Sequence, residues 1–213
     1  MTASFILKHS LLAIVGIRAG PPIASSAPCR IPSPTNLLFN TMTQGQLFPT
    51  PAEKKQARLF ALDPTTKGFG YVIFELPFRL VEWGLAHVSG EKYSGAIARF
   101  EQLLARFRPD RVVLEDADAP GSRRQPRVRR LLEALAKVAR ERGFVVATVT
   151  RGAVLKCFSH DGQATKHSIA ERLARDFPQI REKLPKPRKP WQSENEGMSV
   201  FDALALAVTH AMA

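Results

Sequence analysis

Leu59-Phe60-Ala61-Leu62-Asp63-Pro64-Thr65-Thr66-Lys67-Gly68-Phe69-Gly70-Tyr71-Val72-Ile73-Phe74 passes from one apolar block, through a polar turn, into a second. Leu59 to Leu62 is an unbroken apolar row, and such a row reads as a strand buried on both faces. Proline lacks the N–H that strand pairing uses, so the first strand is expected to end at Asp63-Pro64. Thr65 to Gly68 is turn-like, and Tyr71 to Phe74 reads as a second strand. Asp63 is the misfit in this stretch. A carboxylate closing an apolar strand is costly to bury unless it is paired or binds a cation.

Downstream the period changes repeatedly. Leu80 to Val88 is a third strand. Ile97, Phe100, Leu103, Leu104 and Phe107 then fall at helical spacing, and Pro109 closes that helix. Arg111-Val112-Val113-Leu114 is a fourth strand ending in Glu115. Val128, Leu131, Leu132, Leu135 and Val138 mark a second helix ended by Gly143, and Phe144 to Val149 is a β-branched fifth strand. A helix over about His167 to Phe177, a Pro/Lys/Arg-rich loop and a last helix from about Val200 complete the chain. Three strands followed by alternating helix and strand predict an α/β domain, a mixed five-stranded sheet with helices on both faces.

Upstream, residues 1–52 hold no acidic residue and are rich in Ser, Thr and Pro. Leu11 to Ile17 is apolar but too short to span a bilayer. A secretory signal, an organelle transit peptide and an extension outside the working protein, with translation starting near Met42, are the three readings of this segment. The division is therefore residues 1–58 as an extension and 59–213 as the folded domain. The expected location is cytoplasmic and nucleoid-associated, or an organelle matrix if residues 1–52 are a transit peptide.

The 213 residues carry 31 Lys and Arg against 19 Asp and Glu, a net charge of +12, with 45% hydrophobic residues and two cysteines. That hydrophobic content can furnish a core, and two cysteines without a CxxC or His partner exclude a disulfide framework and give no zinc signature. No apolar run is long enough for a membrane helix, so a membrane partner is not expected. A strongly basic chain favours a polyanion, with nucleic acid ahead of lipid headgroups.

Acidic residues appear where chemistry is usually placed. Asp63 ends the first strand, Glu115 ends the fourth, and Asp202 opens an otherwise apolar helix, Ala203 to Val208. Carboxylates that converge repel one another, and Mg²⁺ or Mn²⁺ relieves this because hard cations prefer oxygen ligands. Two such ions can activate a water and stabilise the leaving oxygen in phosphodiester hydrolysis. Each residue also has a plain structural role open to it. Asp63-Pro64 can begin a turn, Glu115-Asp116 can be an exposed strand end, and Asp202 with Ser199 can form a helix cap.

Taken together, the motifs resemble the RuvC family of Holliday-junction resolvases. Asp63-Pro64-Thr65-Thr66-Lys67-Gly68-Phe69-Gly70-Tyr71 looks like that family's first motif, with Thr65 where the family usually has Gly. Arg108-Pro109-Asp110, the apolar strand and Glu115 are similar to its second acidic strand. Phe201-Asp202-Ala203-Leu204-Ala205-Leu206-Ala207 with His210 resembles its C-terminal helix. The resemblance implies a ribonuclease-H-like fold and a two-metal endonuclease acting on branched DNA, with Asp63, Glu115 and Asp202 holding two divalent ions, Mg²⁺ or Mn²⁺. The family also carries an acidic residue or His three positions before the final Asp. Here that position is Ser199, a poor metal ligand, with Glu194 and Glu196 as candidate replacements.

Basic residues supply the rest of the expected site. Lys156 and Lys166 flank Ser159-His160-Asp161-Gly162, which resembles the family's lysine-bearing segment, and would hold phosphates or stabilise charge during cleavage. Lys166 opens a helix, where the macrodipole disfavours a cation, so a catalytic or phosphate role explains it better. Arg123, Arg124, Arg127, Arg129 and Arg130 form a run expected to contact DNA. Lys186, Arg188 and Lys189 precede Trp191, which either stacks on a base or anchors its loop to the core. His160 and His167 lack metal-ligand spacing. A four-way junction is near two-fold symmetric and needs two cuts, so a homodimer is expected, with the Leu/Ala face of the second helix as one candidate interface. A non-catalytic nucleic-acid-binding protein and an RNA-processing nuclease are the alternatives. A sugar-kinase- or actin-like ATPase needs two such domains around its nucleotide, so no nucleotide cofactor is expected.

Overall fold

A computed structural model describes residues 56–120, 122–159, 164–189, 191 and 193–213. The expected extension, Cys29 and the segment around His160 and Asp161 lie largely outside these residues. Strands β1 (Arg58–Thr65), β2 (Gly68–Glu75) and β3 (Arg79–His87) form an antiparallel meander. Then come α1 (Lys92–Phe107), β4 (Arg111–Glu115), α2 (Pro126–Glu141) and β5 (Val145–Val149). Helices α3 (Arg151–Phe158) and α4 (Lys166–Asp176), a 3-10 turn (Pro178–Lys183) and α5 (Met198–Ala211) follow. The sheet order is β3-β2-β1-β4-β5, with β4 parallel to both β1 and β5. The expected mixed five-stranded α/β sheet is therefore present.

β1 is central, and its side chains alternate between two cores. Phe60 and Leu62 pack with Phe100, Leu104, Leu132 and Leu135 of α1 and α2. Leu59 and Ala61 pack on the other face with Phe201, Leu204, Ala205 and Val208 of α5 and with residues of α3 and α4. Burial on both faces is why the strand reads as an unbroken apolar row. The apolar face of α2, one candidate dimer interface, is instead consumed by the core through Leu131, Leu132, Leu135, Ala136 and Ala139.

One boundary and one element differ from the sequence expectation. β1 does not stop at Asp63-Pro64 but runs to Thr65, with Pro64 opposite Phe69 of β2. Pairing of β1 with β4 ends at Ala61, so Pro64 lies where β1 has a partner on one side only, the setting in which a strand tolerates proline. The second difference is α3, absent from the sequence reading. Thr150 caps it by accepting from the Ala153 N–H, and Val154, Cys157 and Phe158 bury its inner face. No helix among the described residues is long and apolar enough to cross a membrane.

Candidate active site at the ends of the parallel strands

Strand geometry brings Asp63 and Glu115 together. The last paired residues of β1 and β4 are Ala61 and Val113, and both face the α5 side of the sheet. Two residues further on, alternation returns each strand to that same face, which places Asp63 and Glu115 side by side towards α5. Asp202, in the second turn of α5, completes the group. The three are only 3%, 8% and 9% exposed.

Gly70 lets α5 come that close. It pairs with Asp63 across β2, and a Cβ there would lie 2.5 Å from the carbonyl carbon of Ser199 and 2.7 Å from its oxygen. The helix backbone thus occupies the space a side chain would need. Ser199 itself is buried and donates its hydroxyl to the Glu196 carbonyl at 2.6 Å. The expected cap between Ser199 and Asp202 does not form: Gly197 is the residue before α5, and Asp202 lies deeper in the helix.

Three basic side chains neutralise the carboxylates. Arg124, from the loop after β4, donates to Asp63 Oδ1 and to Glu115 Oε2, with its Nε 2.7 Å from the latter. Lys166 Nζ is 2.8 Å from Asp202 Oδ2 and 2.7 Å from Glu194 Oε1. Arg151, the first residue of α3, holds a guanidinium nitrogen 3.7 Å from Asp202 Oδ1. A capping box of Thr165 and Ser168 fixes the start of α4, so Lys166 is aimed by a rigid element.

Burial followed by repulsion from Asp202 pushes the Asp63 carboxyl up to about 7, despite Arg124 and Lys166. Burial likewise raises Asp202, against the pull of Lys166 and Arg151. For Lys166, burial acts to lower the pKa, but Asp202 more than offsets it and the ammonium is held charged. Arg124 follows the same logic through Asp63 and Glu115. The centre thus strains to keep its negative charge, and added positive charge relieves that strain.

Glu115 lines a cleft of about 910 Å³ whose wall also includes Arg123, Arg124, Arg151, Lys166, Lys186 and Arg188, and Arg124 and Lys166 link that wall to Asp63 and Asp202. Lys166 and Arg124 therefore reach the carboxylate centre, and Arg123 lines its approach. Lys156 is exposed on the last turn of α3 and is not among the residues lining the cleft. Arg127 bonds the Thr66 carbonyl at 3.2 Å, and Arg129 bonds the Arg124 carbonyl at 3.1 Å, so these two brace the loops. Glu194 reaches the centre through Lys166, whereas Glu196 pairs with Lys67 at 3.1 Å. His210 lies at the other end of α5, its Nε2 2.9 Å from Arg111, and burial followed by that cation lowers its pKa. Trp191 does not anchor its loop in the core: it is 78% exposed, with Lys189 Nζ 5.5 Å from the ring centre. Arg151 is the functional candidate the sequence reading missed; Thr150 as a cap followed by apolar residues at helical spacing was the available signal.

Neither a protein-family model nor a curated protein sequence matches the chain. Solved structures do. Thermus thermophilus RuvC is 22% identical with a TM-score of 0.51, over 72% of this chain and 93% of its own. The same protein, solved in complex with a Holliday junction substrate, matches at the same identity and score over 73% and 92%. The fold is that of the RuvC resolvases. The yeast mitochondrial Holliday junction resolvase Ydc2, 12% identical, matches with a TM-score of 0.51 over 73% of this chain and 78% of its own. The resolvase-like, ribonuclease-H-like architecture expected from the sequence is thus present in the structure.

The donor set suits a hard divalent cation in chemistry: its donors are carboxylate oxygens, buried and mutually repelling. Among the described residues, no three acidic, His or Cys side chains are placed to hold a metal ion as they stand. Arg124, Lys166 and Arg151 supply the balancing charge instead.

Proposed function

We propose that the chain is a divalent-metal-dependent endonuclease that cuts the phosphodiester backbone of branched DNA. The observation that carries this reading is the convergence of Asp63, Glu115 and Asp202, from three different elements, beneath a basic cleft on a resolvase fold. These three carboxylates would hold Mg²⁺ or Mn²⁺, with Glu194, which shares the Lys166 ammonium with Asp202, as a further oxygen donor. Bound there, such ions activate water and stabilise the leaving oxygen.

The protein's own groups do the rest. Arg123, Lys186 and Arg188 on the cleft wall bind backbone phosphates and set the strand's register without reading sequence. Lys166, held by the capped start of α4, carries its ammonium to the edge of the carboxylate group, where it stabilises negative charge on the phosphate. Trp191, exposed on the loop that carries Lys186 and Arg188, offers a face on which an unpaired base of a branch point stacks. Two cuts on a near-symmetric junction call for two copies of the chain, joined through a surface other than the buried face of α2.

Incubation of a synthetic four-way junction with Mg²⁺ or Mn²⁺ tests the reading, with duplex DNA and structured RNA as competitors at fixed salt. Metal-dependent cutting of the junction supports it. Binding without cutting favours a non-catalytic junction-binding protein, and preferential cutting of RNA favours an RNA-processing nuclease.

A further inference from the structure

Arg124 occupies an unusual position for a residue in a basic, polyanion-facing run. Its neighbours Arg123, Arg127 and Arg130 are exposed, whereas its own guanidinium turns inward and bridges Asp63 of β1 and Glu115 of β4. These are the two carboxylates that strand pairing sets side by side. A planar guanidinium suits this task because its fork can serve two carboxylates at once. It also lines the cleft, so the same side chain is within reach of whatever polyanion enters.

We infer that Arg124 is an exchangeable internal cation. It offsets one of the pair's two negative charges and holds the carboxylates together in the absence of metal, and it must leave for a divalent ion to take its place. A backbone phosphate in the cleft draws the guanidinium outward, so nucleic acid and metal bind cooperatively and the site takes metal more tightly when substrate is present. This rests on the reading of the three carboxylates as metal ligands. The expected size of the competition is large. Removing a unit charge that sits directly against the ion's ligands relieves a repulsion strong enough, in a site largely shielded from water, for a change of about tenfold or more in affinity.

The test is Mn²⁺ binding to the full chain without DNA, followed by electron paramagnetic resonance of the free ion, for wild type, Arg124→Gln and Arg124→Lys. Circular dichroism checks that each variant is folded. The expected result is at least about tenfold tighter Mn²⁺ binding by Arg124→Gln. Arg124→Lys, a single point charge without a fork, should fall between the two. The melting temperature of Arg124→Gln should also rise more steeply with Mn²⁺ than that of wild type. Equal or weaker binding by a folded Arg124→Gln overturns the inference while leaving the metal reading intact. Absence of Mn²⁺ binding in all three proteins overturns the metal reading as well. Should Arg124→Gln fail to fold, Arg124→Lys decides alone: tighter binding than wild type supports the exchange, and unchanged binding overturns it.

Discussion

Replacing Asp63 by Asn should reverse part of the pH dependence of stability. The Asp63 carboxyl titrates near its ordinary value of 3.8 when exposed but is pushed up to about 7 in the folded chain, first by burial and then by Asp202. Between those values the native state binds more protons than the unfolded state, so stability falls as pH rises through about 7. A difference of this size corresponds to about 4 kcal/mol when Asp63 is wholly ionised. About 2 kcal/mol of it should be lost between pH 5.5 and pH 8. Asn keeps the shape and an acceptor for Arg124 but cannot ionise. Urea unfolding in the presence of a chelator, followed by far-ultraviolet circular dichroism at the two pH values, measures the difference. The variant should lose about 2 kcal/mol less than wild type over this interval and should be the more stable protein at pH 8. Equal slopes, or a variant less stable than wild type at pH 8, would refute the claim that Asp63 is an electrostatically strained, metal-free ligand.

Three further substitutions probe separate parts of the account. Lys166→Ala should lower the cleavage rate about 10²- to 10³-fold while changing junction affinity much less, as single-turnover cleavage and gel-shift titration would separate. Gly70→Ala should push α5 away from β2 at Ser199, destabilise the fold by about 1–3 kcal/mol in urea and abolish cleavage by moving Asp202. Trp191→Ala removes an exposed ring and should leave stability unchanged, but it should weaken junction binding by about 1–3 kcal/mol relative to duplex DNA, read by fluorescence anisotropy.

Much of the site was legible in the residue pattern because strand alternation is strict. The unbroken apolar rows ending in Asp63 and Glu115 betray two-sided burial, and a carboxylate closing such a row must face a core edge. Asp202 in an apolar helix carries the same message. What the pattern could not supply was direction. Arg124 belongs to a run of arginines that are interchangeable in sequence, and only the packed loop turns this one inward. Trp191 had equal claims to core and solvent until the loop's course left it exposed. The two turns of α3 are short and contain Gly152, so their helical period was easily overlooked, and Arg151 was lost with them. Gly70 reads as part of a motif, yet its physical reason, the close approach of Ser199, exists only in three dimensions.

The central claim is that three buried carboxylates form a metal-dependent nuclease centre. Its most direct measurement is cleavage of an end-labelled synthetic four-way junction by wild type, Asp63→Asn and Asp202→Asn, with Mg²⁺ or Mn²⁺ and with a chelator. The account predicts paired cuts by wild type only when metal is present, and retained junction binding without cuts by both variants. Cutting by Asp63→Asn at the wild-type rate, or no cutting by wild type with either ion, would contradict it.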